Sequence, residues 1–140
     1  MLIHIDLTSE IPIYVQIKNA VIAAIATNDL VPGQALPSVR QLAYDIGVNM
    51  QTVNKAYTML KQEGYIEIHR RLGATISKQH NPNLDCIDKL ERDLQILAAA
   101  ARSNGMSKKD FVMLCEKAYI TASGKNVQNA IKERMTQDDE

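Results

Sequence analysis

A chain of 140 residues holds one domain, or one small domain with an appendage. Sixteen Lys and Arg offset sixteen Asp and Glu, so overall charge does not point to nucleic acid and only its local distribution can. No apolar run reaches the ~18 residues of a membrane span, the opening Met1-Leu2-Ile3-His4-Ile5-Asp6 lacks the basic-then-apolar order of a leader, and Cys86 and Cys115 are too few and too widely spaced for a disulfide framework, so a cytoplasmic chain with reduced thiols is expected.

Residues 1–10 read as a short extended arm. Ile11-Pro12-Ile13-Tyr14 opens a first helix, with Ser9 or Glu10 near its start and Pro12 in the first turn, where a missing N–H costs nothing. Its apolar stripe is Tyr14, Ile17, Val21, Ile22 and Ile25, ending near Ala26. Asn28 to Gln34, with the Pro32-Gly33 pair, is a connecting turn. Ser38 is placed to cap a second helix with apolar positions at Val39, Leu42, Ala43 and Ile46, which Gly47 ends in a left-handed residue. Asn49 caps a third helix with the stripe Val53, Ala56, Tyr57 and Leu60, closed by Gly64. Two helices joined by so short a turn make a helix-turn-helix. Tyr65 to His69 and Ala74 to Ser77 then alternate as the two strands of a hairpin, the wing of a winged helix.

Lys78 to Asn83 is polar and interrupted by Pro82. Beyond it Leu84, Ile87, Leu90, Leu94, Leu97 and Ala101 repeat at i, i+3, i+4 spacing, with Asp85, Asp88 and Glu91 at the end where acids suit the helix dipole. Asn104-Gly105 ends that helix, and Ser107-Lys108-Lys109-Asp110 resembles a capping box for the next, which carries Phe111, Leu114, Cys115, Ala118 and Tyr119 up to a break at Gly124. Two such helices cannot cover both apolar faces on each other, and a second copy is the simplest remedy. The dimerisation set is therefore Leu84, Ile87, Leu90, Leu94, Leu97, Ala101, Phe111, Leu114 and Ala118. The expected fold is mainly α with a small β wing: a winged helix-turn-helix over residues 1–78, a linker over 79–83, and a helical dimerisation region over 84–140 that frays at its tail.

A helix-turn-helix meets base edges with polar side chains at the start of its second helix. Here those are Asn49, Gln51, Thr52, Asn54 and Lys55. Between Leu36 and Lys78 six basic residues face three acidic ones, an excess suited to phosphate contacts. Gln51 can pair with adenine N6 and N7, Thr52 can bond a phosphate or touch a thymine methyl, Asn54 can read a base edge or hold the backbone, and Lys55 suits a phosphate. Tyr57 fits a core or backbone-clamping role through its hydroxyl better than base stacking. His69 is most simply a strand residue, with no second metal ligand at a useful spacing. No Gly-rich phosphate loop, nucleophile motif or His–carboxylate cluster is present, so no enzyme, cofactor or metal is expected.

The run Leu36-Pro37-Ser38-Val39-Arg40-Gln41-Leu42-Ala43, then Val48 to Thr52-Val53, then Ala56-Tyr57-Thr58-Met59-Leu60 and a Gly-bearing hairpin resembles the DNA-binding domain of the GntR family of bacterial transcription regulators. Ile13-Tyr14-Val15-Gln16-Ile17 and Pro32-Gly33 agree as well, and the match covers roughly the first 78 residues. The resemblance implies a DNA contact by Arg40 and an interface comprising Ser38, Arg40, Asn49, Gln51, Thr52, Asn54, Lys55, Tyr57, Arg70, Arg71 and Gly73. Two positions depart from the family. Met50 stands where many members carry arginine, and Arg71 takes the place of the first wing glycine while Gly73 keeps the second. Loss of that arginine points to a half-site that is weaker or more tolerant of A·T, and Arg70 and Arg71 suit a narrow minor groove.

The roughly 60 residues after the hairpin are too short for the larger effector domains of the family and resemble its YtrA-type branch, in which two helices serve mainly to dimerise. That branch implies a homodimeric repressor on a pseudo-palindromic operator of double-stranded DNA, controlling an operon that includes ATP-binding-cassette transporter genes. The alternative is a sensor of the same fold whose C-terminal helices take a small apolar effector, with Met106, Phe111 and Met113 as candidate linings.

Overall fold

The computed structural model describes residues 3–78 and 84–124 and is mainly helical with one small antiparallel sheet. In chain order the elements are α1 (Ile13–Ala26), α2 (Val39–Ile46), α3 (Met50–Gln62), β1 (Ile66–His69), β2 (Gly73–Ile76), α4 (Leu84–Ser103) and α5 (Lys108–Ala122). They fall into two units, Met1–His80 and Asn81–Glu140. The linker expected at 79–83 and the frayed tail expected over 125–140 lie outside the described residues.

The first unit has a core that closes on α3. Val53, Ala56, Tyr57 and Leu60 are buried on one face of that helix, against Ile17 and Val21 of α1, Leu42 and Ala43 of α2, and Ile66, Ala74 and Ile76 of the hairpin. The i, i+3, i+4 spacing of these residues puts them on one side of the helix and leaves the other side polar. Ser38 Oγ accepts from Gln41 N at 3.1 Å and Asn49 Oδ1 from Gln51 N at 2.7 Å, so both expected caps form. Each such cap contributes on the order of 1 kcal/mol to a helix too short to stand alone. Gly47, at φ 71°, makes the left-handed exit from α2 that the tight turn to α3 requires.

Several expectations at the edges of this unit are corrected. Pro12 is the N-cap of α1 rather than a first-turn residue, and it offers no side-chain acceptor. Of the expected arm, residues 3–6 have no regular structure and a turn begins at Leu7; Asp6 Oδ1 accepts from Thr8 Oγ1 and, at 2.9 Å, from Thr8 N, bonds that hold its carboxyl below its ordinary value. Gln16 of α1 bonds back to Asp6 and Ile11, fastening the arm while Ile3 and Ile5 pack on the core. Ile68, placed by alternation on the inner face, is half exposed at 48 %, because only one end of so short a strand reaches the core.

The connecting turn does more than connect. Gly33 N donates to Ile76 O, Leu36 N to Ala74 O, and Ile76 N to Gln34 O, each at 2.8 Å. The segment before α2 therefore lies antiparallel along β2, bridging at Ala35 and Thr75, and covers an edge that would otherwise be open. Lys18 Nζ and Glu63 Oε1 meet at 2.9 Å, largely sheltered from water, and tie α1 to the end of α3.

Tyr57 is 2 % exposed and its hydroxyl donates to Pro37 O at 2.7 Å, a clamp from the middle of α3 to the entry of α2. Burial pushes this phenol up to about 12, so the folded chain holds it neutral while the unfolded chain ionises it near 10. The associated stability is complete below about pH 10 and is lost as pH rises from there towards about pH 12. Tyr57→Phe should cost about 1 kcal/mol for the missing bond and flatten this alkaline decline. Urea unfolding at about pH 8 and about pH 11 measures both effects. A decline as steep in the variant as in the parent would assign it to other groups.

In the second unit Gly105, at φ 81°, separates α4 from α5, and Ser107 Oγ accepts from Asp110 N at 3.1 Å, forming the serine half of the expected capping box. No residue of α5 is buried. Tyr119, expected on the stripe, is 82 % exposed, whereas Phe111 and Cys115 are half-buried.

Candidate nucleic-acid interface

The first turn of α3 is built so that its inner face is fixed and its outer face is free. Val53 and Ala56 anchor it to the core, while Gln51, Asn54 and Lys55 are exposed and Thr52 is half-buried. Gln51 and Asn54 keep their side-chain amides available: Gln51 spends its backbone N–H on the Asn49 cap, and Asn54 its backbone carbonyl on Thr58 Oγ1 at 2.8 Å. Arg40 is exposed near the start of α2, where the Tyr57–Pro37 clamp fixes that helix to α3. Among the described residues Arg40, Arg70 and Arg71 have no ion-pair partner, so their guanidinium donors remain open to phosphate or base edges.

The remaining candidates divide by what holds them. Ser38 and Asn49 are capping residues whose oxygens are already engaged, so contacts to DNA from them would compete with, or add to, the cap. Tyr57 is buried with its hydroxyl on Pro37 O, so in this structure its part is to hold α2 against α3. Lys55 Nζ lies 4.0 Å from the centroid of the Tyr14 ring, a cation–π contact that joins α3 to α1. Arg70, Arg71 and Leu72 form the three-residue tip between strands paired His69 to Gly73, and Gly73 takes φ 72° to make that turn. His69 Nε2 lies 3.1 Å from Thr75 Oγ1 and 3.6 Å from Glu67, which makes it a strand residue braced by neighbours. No group of His, Cys, Asp and Glu among the described residues is arranged to hold a metal.

Sequence reasoning missed the strand-like pairing of Gly33 to Leu36 and the Lys55–Tyr14 contact. The first had a signal, an extended tripeptide between Pro32-Gly33 and Pro37-Ser38. The second depends on which face of α1 meets α3 and had none.

In the second unit the candidate dimerisation residues are distributed along both helices of the hairpin. Leu84 opens α4. Ile87 (45 %), Leu90 (61 %), Leu94 (49 %) and Leu97 (60 %) follow along it, and Leu114 (50 %) faces solvent from α5. Ala101 and Phe111 are half-buried and Ala118 is exposed. A groove of about 360 Å³ lies between the helices, lined among others by Leu94, Leu97, Met106, Phe111 and Cys115. Met113, proposed as a lining, is not part of it. No helix among the described residues is long and apolar enough to cross a membrane.

The chain matches the family model of bacterial regulatory proteins, gntR family, over residues 13–76. It is 42 % identical over 83 residues to the HTH-type transcriptional repressor YtrA of Bacillus subtilis, covering 59 % of this chain and 64 % of the relative. It is 30 % identical over 102 residues to the HTH-type transcriptional regulator YhcF of the same organism, covering 72 % of this chain and 84 % of the relative. Among solved structures, YtrA from Sulfolobus acidocaldarius, a GntR-family transcription factor, superposes with a TM-score of 0.55 at 38 % identity, covering 83 % of this chain and 95 % of that one.

Proposed function

Because the chain belongs to the gntR family of bacterial regulatory proteins and to its YtrA-like branch, we propose that it is a homodimeric repressor that recognises a pseudo-palindromic operator. The family is one of DNA-binding transcription regulators and not of enzymes. The observation that carries the reading is the outer face of α3, with uncharged polar side chains exposed at its first turn, in a unit where Arg40, Arg70 and Arg71 have no ion-pair partner among the described residues. Uncharged amides suit base edges, and the cations supply phosphate anchors or further base contacts. Repression is favoured by the likeness to the repressor YtrA. We further propose that the protein acts in the cytoplasm and that the controlled operon includes transporter genes of the ATP-binding-cassette type.

The test is a gel shift of the full chain on the duplex upstream of its own gene against a scrambled duplex across a range of salt. The expected result is a clear preference for the upstream duplex and an affinity that falls steeply with salt as counterions are released. Lys55→Ala should weaken both duplexes alike and lower the salt slope by about 1 per protomer. No preference at any ionic strength would end the reading.

A second reading, an effector-responsive regulator, rests on the apolar groove between α4 and α5. A thermal-shift screen of small apolar compounds separates the two, since a ligand that binds the folded state raises the midpoint with concentration.

A further inference from the structure

The outer surface of the α3 first turn has one apolar member. Met50 is the first residue of the helix, directly after the Asn49 cap, and 46 % of it is exposed. Asn54 lies one turn further along on the same side of the helix, and Gln51 is its outward neighbour. A single exposed methionine elsewhere would mean little; its place gives it meaning, because the N-terminal residues of such a helix are those that reach base edges.

In the major groove guanine shows two acceptors, adenine an acceptor and a donor, and cytosine a donor, while thymine alone adds an apolar group, its C5 methyl. A thioether has no donor and is a weak acceptor. Set against guanine, adenine or cytosine, Met50 would take water from a polar edge and return little for it. Set against thymine, it buries methyl on methyl, and its unbranched, polarisable chain has the rotamers to reach it.

We infer that Met50 is a specificity-determining residue that selects the C5 methyl of a thymine at one position in each half-site. The inference rests on the reading of α3 as the recognition helix.

The experiment enriches preferred duplexes from a randomised pool with the full-length protein, then replaces each thymine in turn by deoxyuridine and measures affinity by fluorescence anisotropy. For the parent protein one thymine per half-site should stand out, with loss of its methyl lowering affinity roughly 4-fold, the factor that burial of one methyl-sized group supplies. Met50→Ala should be indifferent to uridine there, and Met50→Leu should keep the sensitivity. Since Met50 is half exposed and alanine is the better helix former, the fold is kept, which circular dichroism verifies. A 5-methylcytosine·guanine pair placed at that position should bind better than plain cytosine·guanine by a similar factor, as the methyl group rather than thymine as a whole is sensed. Uridine tolerated at every position by the parent, or a penalty that persists in Met50→Ala, overturns the role of Met50 while leaving DNA recognition intact. A pool from which the parent enriches nothing overturns both.

Discussion

Replacing Leu94 and Leu97 together by Glu is expected to convert the protein into a monomer and to lower its affinity for a two-half-site operator by about 10²–10⁴-fold, the range over which linking two binding modules raises avidity. All the buried apolar residues among those described belong to the first unit, and none belongs to α4 or α5. Leu97 leaves 60 % of its surface in water and Leu90 61 % within one chain. An apolar stripe along a 20-residue helix is a large area to leave hydrated at about 25 cal/mol per Å². Covering it with a second copy would recover that free energy, and a dimer carries two α3 helices for the two half-sites of a palindrome. Since neither leucine supports the core around α3, the variant should keep the first unit folded and bind a single half-site as before. Sedimentation equilibrium gives the mass and anisotropy gives the affinity. A variant that still sediments as a dimer, or a parent that is monomeric, would remove this interface from the scheme.

Gln51→Ala carries the second large effect. Its side chain is exposed at the first turn of α3, and the cap engages its backbone N–H rather than its amide. A bidentate amide–adenine pair discriminates by about 1–3 kcal/mol per base pair, so affinity for the preferred duplex should fall by roughly 5- to 150-fold per half-site read this way. Binding to random DNA, which depends on phosphate contacts, should hardly change. The variant therefore loses preference before it loses binding. Equal losses on both duplexes would show that Gln51 anchors the backbone and that the choice of base is made elsewhere on the helix.

These variants touch features of different origin. The helix-turn-helix was legible in the chain because it is specified by neighbours in sequence. Ser38 and Asn49 cap the helices that follow them, Gly47 makes the turn, and Val53, Ala56, Tyr57 and Leu60 fall on one face at the period of the helix; all are as expected in the structure. The apolar run of α4 was legible for the same reason, because i, i+3, i+4 spacing survives whatever the helix packs against.

What only the tertiary structure decided are contacts between segments far apart in the chain. Tyr57 reads equally well as a core ring or an interface ring until Pro37 is found 2.7 Å from its hydroxyl. Lys55 is a surface cation until α1 brings Tyr14 beneath it. The stretch Gly33–Leu36 is a turn by composition and becomes a strand partner once β2 offers its free edge. Local propensity fixes dihedral angles and periodicity, which a window of ten residues contains. Which side chains meet across 20 or 40 residues depends on how the helices close on one another, and no single window encodes that.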